Sequence, residues 1–176
     1  MSRNYQPGPA TGARIQKDGD VWTLILIRDL KHPPPLVWEA LTEPEHLREW
    51  APFDADRSLA TPGTVRMTTA KAPTPTSAAG TVLYADAPHL LEYRWGTGTL
   101  RWELEEREDG TRLKLWHNID RNFISWGAAG WHVCIDVMDH HLRGEPLGRI
   151  VGPDALRLEG WGRLQTEYAH QFEATP

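Results

Sequence analysis

His117 is the residue of this sequence whose position most clearly invites chemistry. Leu113, Leu115 and Ile119 alternate with it, while Trp116 falls between them. Because the side chains of a strand point to its two faces in turn, this spacing places His117 on the face turned toward a core. A buried imidazole needs a hydrogen-bond partner, and it can orient a ligand or serve as a general acid or base. The alternative is a structural histidine that hydrogen-bonds to the backbone.

Aromatic residues are the second group of candidate functional residues, since the chain contains nine Trp and four Tyr among 176 residues. Such side chains form the walls of small-molecule pockets, although they also simply fill cores. The candidate ligand-binding set is Trp50, Tyr84, Tyr93, Trp95, Trp102, His117, Trp131, Cys134 and Met138. No residue is assigned a catalytic role, and His117 is the one weak candidate.

Two further groups contain reactive side chains but favour a structural interpretation. His132, Asp136 and His140 are spaced at i, i+4 and i+8, which would align possible metal ligands along a helix. They lie off the apolar stripe of that helix, so we expect a solvated face and no metal site. Cys134 lies on the stripe, where a lone cysteine usually packs as a small apolar residue. A thiol facing His117 across a cavity is the open alternative.

Composition and missing motifs exclude several function classes. The net charge is -5, and the charges are mixed along the chain, which argues against nucleic-acid binding and a polybasic membrane anchor. There is no dinucleotide fingerprint, phosphate-binding loop or nucleophile elbow, so no cofactor is expected. The chain lacks a long apolar run and an N-terminal secretory pattern, from which we expect a cytoplasmic protein without a membrane span. A single cysteine excludes a disulfide framework.

The elements that must position these residues can be read from periodicity. Residues 1–17 are rich in Pro and Gly and are predicted to be a flexible arm, followed by one domain over 18–176. A strand is predicted over 21–27, then two short helices that end near Trp50, with Thr42 as the N-cap of the second.

The second half of the chain changes period. Alternating segments between residues 63 and 119 predict an antiparallel sheet with one buried face. Trp131, Cys134, Ile135, Met138 and Leu142 then form the apolar stripe of a long helix, about 125–143. An extra helix is predicted at about 154–172. A curved sheet around one long helix leaves room for a cavity between them.

Four local sequences resemble the START-like (SRPBCC) superfamily, and within it the group named after the activator of Hsp90 ATPase. They are PLVWEALTEPEHLREW at 35–50, GTV at 80–82, LKLWH at 113–117 and GWHVCID at 130–136. The resemblance implies an α+β helix-grip (START/Bet v 1-like) fold, in which about seven curved strands surround a long C-terminal helix. It also implies a cavity that in relatives binds lipids, hormones or polyketides. Relatives include carriers, cyclases and co-chaperone domains, so the fold alone does not choose a function.

Three functions are therefore predicted in order. The first is binding of an apolar or aromatic small molecule, with His117 fixing its orientation and no defined reaction. The second is a cyclase- or hydrolase-type enzyme that uses the same cavity, with His117 as acid and base. The third is a co-chaperone-like interaction module with a protein partner or a homodimer, which an exposed apolar patch containing Leu83 and Trp116 would favour.

Overall fold

The computed structural model describes residues 4–74 and 76–174. Within them, eight strands and five helices follow one another. The strands are β1 (Ala13–Asp18), β2 (Val21–Leu30), β3 (Phe53–Ala55), β4 (Gly63–Thr69), β5 (Ser77–Asp86), β6 (Leu90–Trp95), β7 (Gly98–Arg107) and β8 (Gly110–Asn118). The helices are α1 (Pro34–Thr42), α2 (Pro44–Trp50), α3 (Ile124–Leu142), α4 (Pro153–Leu156) and α5 (Trp161–Glu173).

All eight strands belong to one antiparallel sheet in the order β1-β2-β8-β7-β6-β5-β4-β3. The buried face carries the alternating apolar residues of β2, β7 and β8, and α3 packs against it. This arrangement confirms the predicted helix-grip fold, with eight strands in place of about seven. Periodicity did not predict two of the eight, β1 and the three-residue β3.

Helix α3 has nearly the bounds that its apolar stripe predicted, and Trp131, Cys134, Ile135 and Met138 are all buried. The predicted N-cap of α2 is not present. Thr42 is instead the last residue of α1, and its Oγ1 donates a hydrogen bond to the carbonyl of Trp38 at 2.8 Å. Among the described residues, no helix is both long enough and apolar enough to cross a membrane.

The N-terminal segment, residues 4–12, is not the flexible arm that its Pro and Gly content predicted. Tyr5 and Ala10 are buried, and the chain continues directly into β1. The backbone of this segment is bonded by side chains of α5, since Arg163 donates to the carbonyl of Pro7 and Gln171 donates to that of Ala10. The tertiary partner therefore supplies the order that local composition did not predict. Residues 1–3 of the predicted arm lie outside the described residues.

The predicted tail helix is divided into α4 and α5. Gly160 adopts a left-handed conformation, with φ of 92°, directly before α5, which interrupts the helix there. The apolar stripe of α5, which contains Trp161, Leu164, Tyr168 and Phe172, is buried, and the helix packs against α3. As a result α3 is covered on a second side.

Candidate functional site

A cavity of about 650 Å³ opens at one end of the sheet, where the β6–β7 hairpin, the end of β8 and the start of α3 meet. Its lining residues are Thr69, Trp95, Gly96, Thr97, Gly98, His117, Asn118, Ile119, Asp120, Phe123, Trp126 and Gly127. The cavity lies between the sheet and the long helix, as the helix-grip prediction requires. Of the nine predicted ligand-binding residues, Trp95 and His117 line it.

The alternation of β8 positions His117 on the face shared with Leu113 and Leu115, opposite Leu100 of β7 and Leu24 of β2. Trp131 of α3 donates its indole N–H to Nδ1 of His117 at 3.0 Å. Since an indole can only donate, Nδ1 is the unprotonated nitrogen and the ring proton lies on Nε2.

Burial lowers the pKa of His117 to about 4, so that its imidazole is neutral at pH 7. Nε2–H is then the donor of this ring that is left for a molecule in the cavity, because Nδ1 already accepts from Trp131. The ring also stacks on Trp95, with centroids 6.4 Å apart and an interplanar angle of 27°. A neutral donor beside an aromatic wall can orient a ligand that carries a hydrogen-bond acceptor.

Glycine at position 98 keeps His117 accessible. A Cβ atom there would lie 3.1 Å from Nε2 of His117 and 2.8 Å from the carbonyl oxygen of Asn118. At the mouth of the cavity, Phe123 and Trp126 expose 65% and 46% of their surface. Large apolar side chains with this exposure beside a cavity are typical of a ligand entrance.

Four of the other predicted binding residues form an aromatic cluster beneath the cavity. Trp50, Tyr93, Trp102 and Trp131 are buried, and the Trp131 ring contacts those of Trp50, Trp95 and Trp102 at centroid distances of 5.4–6.5 Å. Each indole N–H has a partner. Trp50 donates to the carbonyl of Ala40, and Trp102 donates to the hydroxyl of Tyr93. These side chains fill the interior, and Trp131 connects them to His117.

The structure does not place Tyr84, a member of the candidate ligand-binding set, at the cavity. Val82 pairs with Tyr93, but Tyr84 pairs with Glu92, so Leu83 is the extra residue of a β-bulge. Because a bulge reverses the alternation after it, Tyr84 shares the outer face with Glu92 and is 48% exposed. Tyr84 is therefore not near the cavity.

Cys134 and Met138 lie apart from His117. Met138 is fully buried, and Cys134 lines a separate cavity of about 380 Å³ on the side of α3 that faces the C-terminal segment. Burial raises the pKa of the Cys134 thiol to about 12, which keeps the sulfur protonated at neutral pH. The alternative of a thiol opposite His117 is thus not supported.

The predicted solvated face of α3 is instead a buried polar network. His132 is 4% exposed, and its Nδ1 lies within hydrogen-bond distance of Arg28, at 2.8 Å, and of the Tyr168 hydroxyl, at 2.7 Å. Asp136 accepts from the Tyr5 hydroxyl. Burial, followed by Arg28 and Arg163, lowers the pKa of His132 to about 3. The prediction was wrong because α5 and the N-terminal segment cover this face, and a single helix pattern does not reveal them.

Sequence reasoning missed the cavity residues Phe123 and Trp126. A signal for them exists, because Trp126 lies off the apolar stripe that contains Trp131 and is therefore a large apolar residue predicted to be exposed. Gly98 gave no such signal, since a glycine that follows a hairpin turn has an obvious local role. Its second role, next to His117, depends on the pairing of β7 with β8.

The family follows from comparison with known proteins. The model of the family described as activator of Hsp90 ATPase homolog 1-like protein matches residues 31–143, which is more than half of the chain. The chain belongs to this family. The matched range of this Hsp90-activator-like family includes His117, Trp131 and the whole cavity lining. The resemblance expected from the local sequences is confirmed.

The curated relatives share a short stretch. Over 36 residues the chain is 52% identical to the activator of 90 kDa heat shock protein ATPase homolog 2 from Bos taurus, and 44% identical to the protein of that name from Mus musculus. The stretch covers 20% of this chain but only 14% and 11% of those relatives. The chain thus matches a small part of the length of each relative.

Solved structures share the fold over more of the chain. A conserved protein of unknown function from Enterococcus faecalis has a TM-score of 0.69 at 14% identity, covering 90% of this chain and 89% of that one. CalU16 from Micromonospora echinospora has a TM-score of 0.63 at 20% identity, covering 97% and 98%. An AHSA1-like protein from Aeromonas hydrophila has a TM-score of 0.59 at 15% sequence identity. The match covers 71% of this chain and 94% of that one. Identities this low support the fold alone.

Proposed function

We propose that the cavity beside His117 binds an apolar, aromatic small molecule that carries a hydrogen-bond acceptor. The single observation that carries the proposal is the state of His117. Its Nδ1 is occupied by Trp131, so a neutral ring presents Nε2–H to an aromatic-walled cavity of about 650 Å³. A volume of this size suits a drug-sized ligand.

The walls favour a planar ligand. Trp95 lies next to His117, and Phe123 and Trp126 flank the entrance, so an aromatic ring could stack while apolar surface is removed from water. An acceptor oxygen on the ligand would then satisfy the His117 donor in a partly desolvated site, where such a bond is worth more than in water.

Binding without chemistry is the better supported of the two uses of this cavity. A histidine whose pKa is about 4 is a weak base at pH 7. Asp120 is the carboxylate of the lining, but it lies at the exposed rim and accepts a hydrogen bond from the backbone N–H of Asn122 at 2.8 Å. His117 and Asp120 therefore do not resemble a general acid and base whose pKa values suit catalysis near pH 7.

A protein-interaction function is the second candidate, and family membership favours it, since the curated relatives are named as activators of an Hsp90 ATPase. The patch expected for it is divided, because β7 and β6 separate Trp116 on β8 from Leu83 on β5. Trp116 is also covered by Arg101 and Lys114, 5.3 and 4.5 Å from its ring. Stimulation of ATP hydrolysis by a purified Hsp90 would support this candidate.

The test uses 8-anilinonaphthalene-1-sulfonate, an aromatic probe with a sulfonate acceptor, in a fluorescence titration of the folded protein. We expect binding at one site, and His117→Phe should weaken it about tenfold, because one charge-assisted hydrogen bond is lost. Trp126→Ala should also weaken it and leaves the Trp131 bond intact. His170→Phe, on the exposed side of α5, is the matched control. Equal affinity in the wild type, His117→Phe and Trp126→Ala would overturn the proposal.

A further inference from the structure

A second cavity, of about 380 Å³, lies between α3 and the C-terminal segment. Gly130 and Cys134, which are four residues apart on α3, form one side of it. Residues 150–153, the last two residues of α4 and Trp161 at the start of α5 form the other side. This cavity shares no lining residue with the cavity at the end of the sheet, and its C-terminal side lies beyond residue 143, where the family match ends.

The lining of this second cavity is apolar and uncharged. Its residues are of the types Gly, Ala, Val, Ile, Leu, Pro, Trp and Cys. Burial raises the pKa of the Cys134 thiol to about 12, so the sulfur is neutral as well. Because a charge moved into such surroundings would lose its hydration without meeting a counter-charge, the cavity favours an uncharged occupant.

Trp161 brings to this cavity one hydrogen-bond donor that is not in use. The residue is 8% exposed, and its indole N–H is buried without a hydrogen-bond partner among the described residues. By contrast, the buried Trp50, Trp102 and Trp131 all donate their indole N–H groups. A buried donor without an acceptor costs free energy, and an acceptor on an occupant of the cavity would offset that cost.

The indole of Trp161 must turn to meet such an acceptor, since its N–H is closed to solvent in the present orientation. No hydrogen bond or ring contact within the described part of the chain holds the ring there. A Cβ atom on Gly130 would lie 3.8 Å from Cη2 of Trp161, which is an ordinary contact distance. The glycine therefore leaves space beside the far edge of the indole.

We propose that the second cavity binds an uncharged, single-ring aromatic molecule that carries one hydrogen-bond acceptor. A volume of about 380 Å³ is near the lower end of the range for ligand pockets, which favours a small occupant. The ring of the ligand is buried among the apolar side chains, and Trp161 donates its N–H to the acceptor. Leu156, which lines the cavity and is 60% exposed, marks its opening toward solvent. The site is independent of the function proposed for the first cavity.

The test is a titration of the nitrogen-15-labelled protein with acetophenone, a neutral aromatic ketone, followed through the nine indole N–H signals. The spectrum of Trp161→Phe identifies the signal of Trp161. We expect this N–H proton to move downfield and to reach saturation, because it enters a hydrogen bond. Ethylbenzene, which has a similar shape but no acceptor, should not move the proton downfield. Benzoate, which carries a charge, should not bind at this site.

Two variants and a control measure the affinity of the site for acetophenone, followed through the backbone amides of residues 150–152. Trp161→Phe keeps an aromatic ring but removes the donor, so it should weaken binding about fivefold. Ala155→Leu fills part of the cavity and should abolish binding. Ala79→Leu, at an exposed position of β5, is the matched control and should bind as the wild type does.

A Trp161 signal that stays unmoved up to the solubility limit of acetophenone would overturn the proposal. A response confined to Trp95 and Trp126 would place the probe in the first cavity alone and would overturn it as well. Equal affinity in the wild type and in Trp161→Phe, or a Trp161 signal that shifts on dilution because a second copy occupies the cavity, would also contradict it. If Ala155→Leu does not fold by circular dichroism, the comparison of acetophenone with ethylbenzene in the wild type still decides the matter.

Discussion

Trp131 connects the aromatic core to the cavity residue His117. Its ring packs on Trp102, and its N–H fixes which nitrogen of His117 carries the proton. The direction of the His117 donor thus depends on a helix residue that does not itself line the cavity. A residue of this kind positions the binding group without contacting a ligand.

Trp131→Phe should therefore change His117 as well as stability. The substitution leaves Nδ1 without its donor and creates a small cavity, so we expect a loss of about 1–3 kcal/mol in the free energy of unfolding. Nitrogen-15 spectroscopy of the imidazole should show Nε2–H alone in the wild type and a mixture of tautomers in the variant. Trp126→Phe, at the exposed mouth, should alter neither quantity. An unchanged imidazole spectrum in Trp131→Phe would show that the indole does not set the tautomer.

The sequence could predict the sheet face of a residue only where the alternation of its strand is uninterrupted. His117 and Trp95 lie on the face that alternation indicated, because β6 and β8 keep a strict period of two. Tyr84 was misplaced because the bulge at Leu83 has no sequence marker of its own. The bulge arises from pairing with β6, which is a property of two strands rather than of one.

At the scale of elements, the N-terminal segment and α5 depend on each other. The segment provides backbone groups, and α5 provides Arg163, Glu167 and Gln171 to bond them. Tyr5 adds a hydrogen bond to Asp136 of α3. Sequence predicted α5 from its stripe but gave no indication of its partner, since the contacts join residues more than 150 positions apart.

Tyr5→Phe tests this interdependence. Asp136 would keep its buried position but lose a donor, so we expect a loss of about 1–3 kcal/mol in the free energy of unfolding. Hydrogen exchange of backbone amides should accelerate over residues 6–12 and in α5 together. Tyr84→Phe, on the outer face of the sheet, removes a hydroxyl that is exposed and serves as the control. Faster exchange in the N-terminal segment alone would contradict the mutual dependence.

At the scale of the whole molecule, two histidines are held in their neutral forms. The pKa of His117 is lowered to about 4 and that of His132 to about 3, whereas both are near 6.5 when unfolded. The unfolded chain therefore binds more protons than the folded protein between pH 6.5 and about pH 3. The contribution of the two neutral rings to the free energy of unfolding is fully present above pH 6.5. It is lost as the pH falls through this window.

We expect each of these histidines to lower the free energy of unfolding by up to about 2 kcal/mol between pH 7 and pH 5. Urea unfolding followed by tryptophan fluorescence at pH 7, 6 and 5 measures the effect. His132→Gln should be less stable at pH 7 but should lose less stability on acidification. A wild-type stability that is constant from pH 7 to pH 5 would show that the two rings are not held neutral.

The mutual dependence of the N-terminal segment and α5 has a consequence for how the chain is made. A ribosome releases residues 4–12 long before their bonding partners in Trp161–Glu173. While the intervening residues emerge, Tyr5 has no Asp136 to bond, and Pro7 and Ala10 have no donors from α5. Residues 4–12 can therefore take up their ordered contacts with α5 only after translation has passed α5.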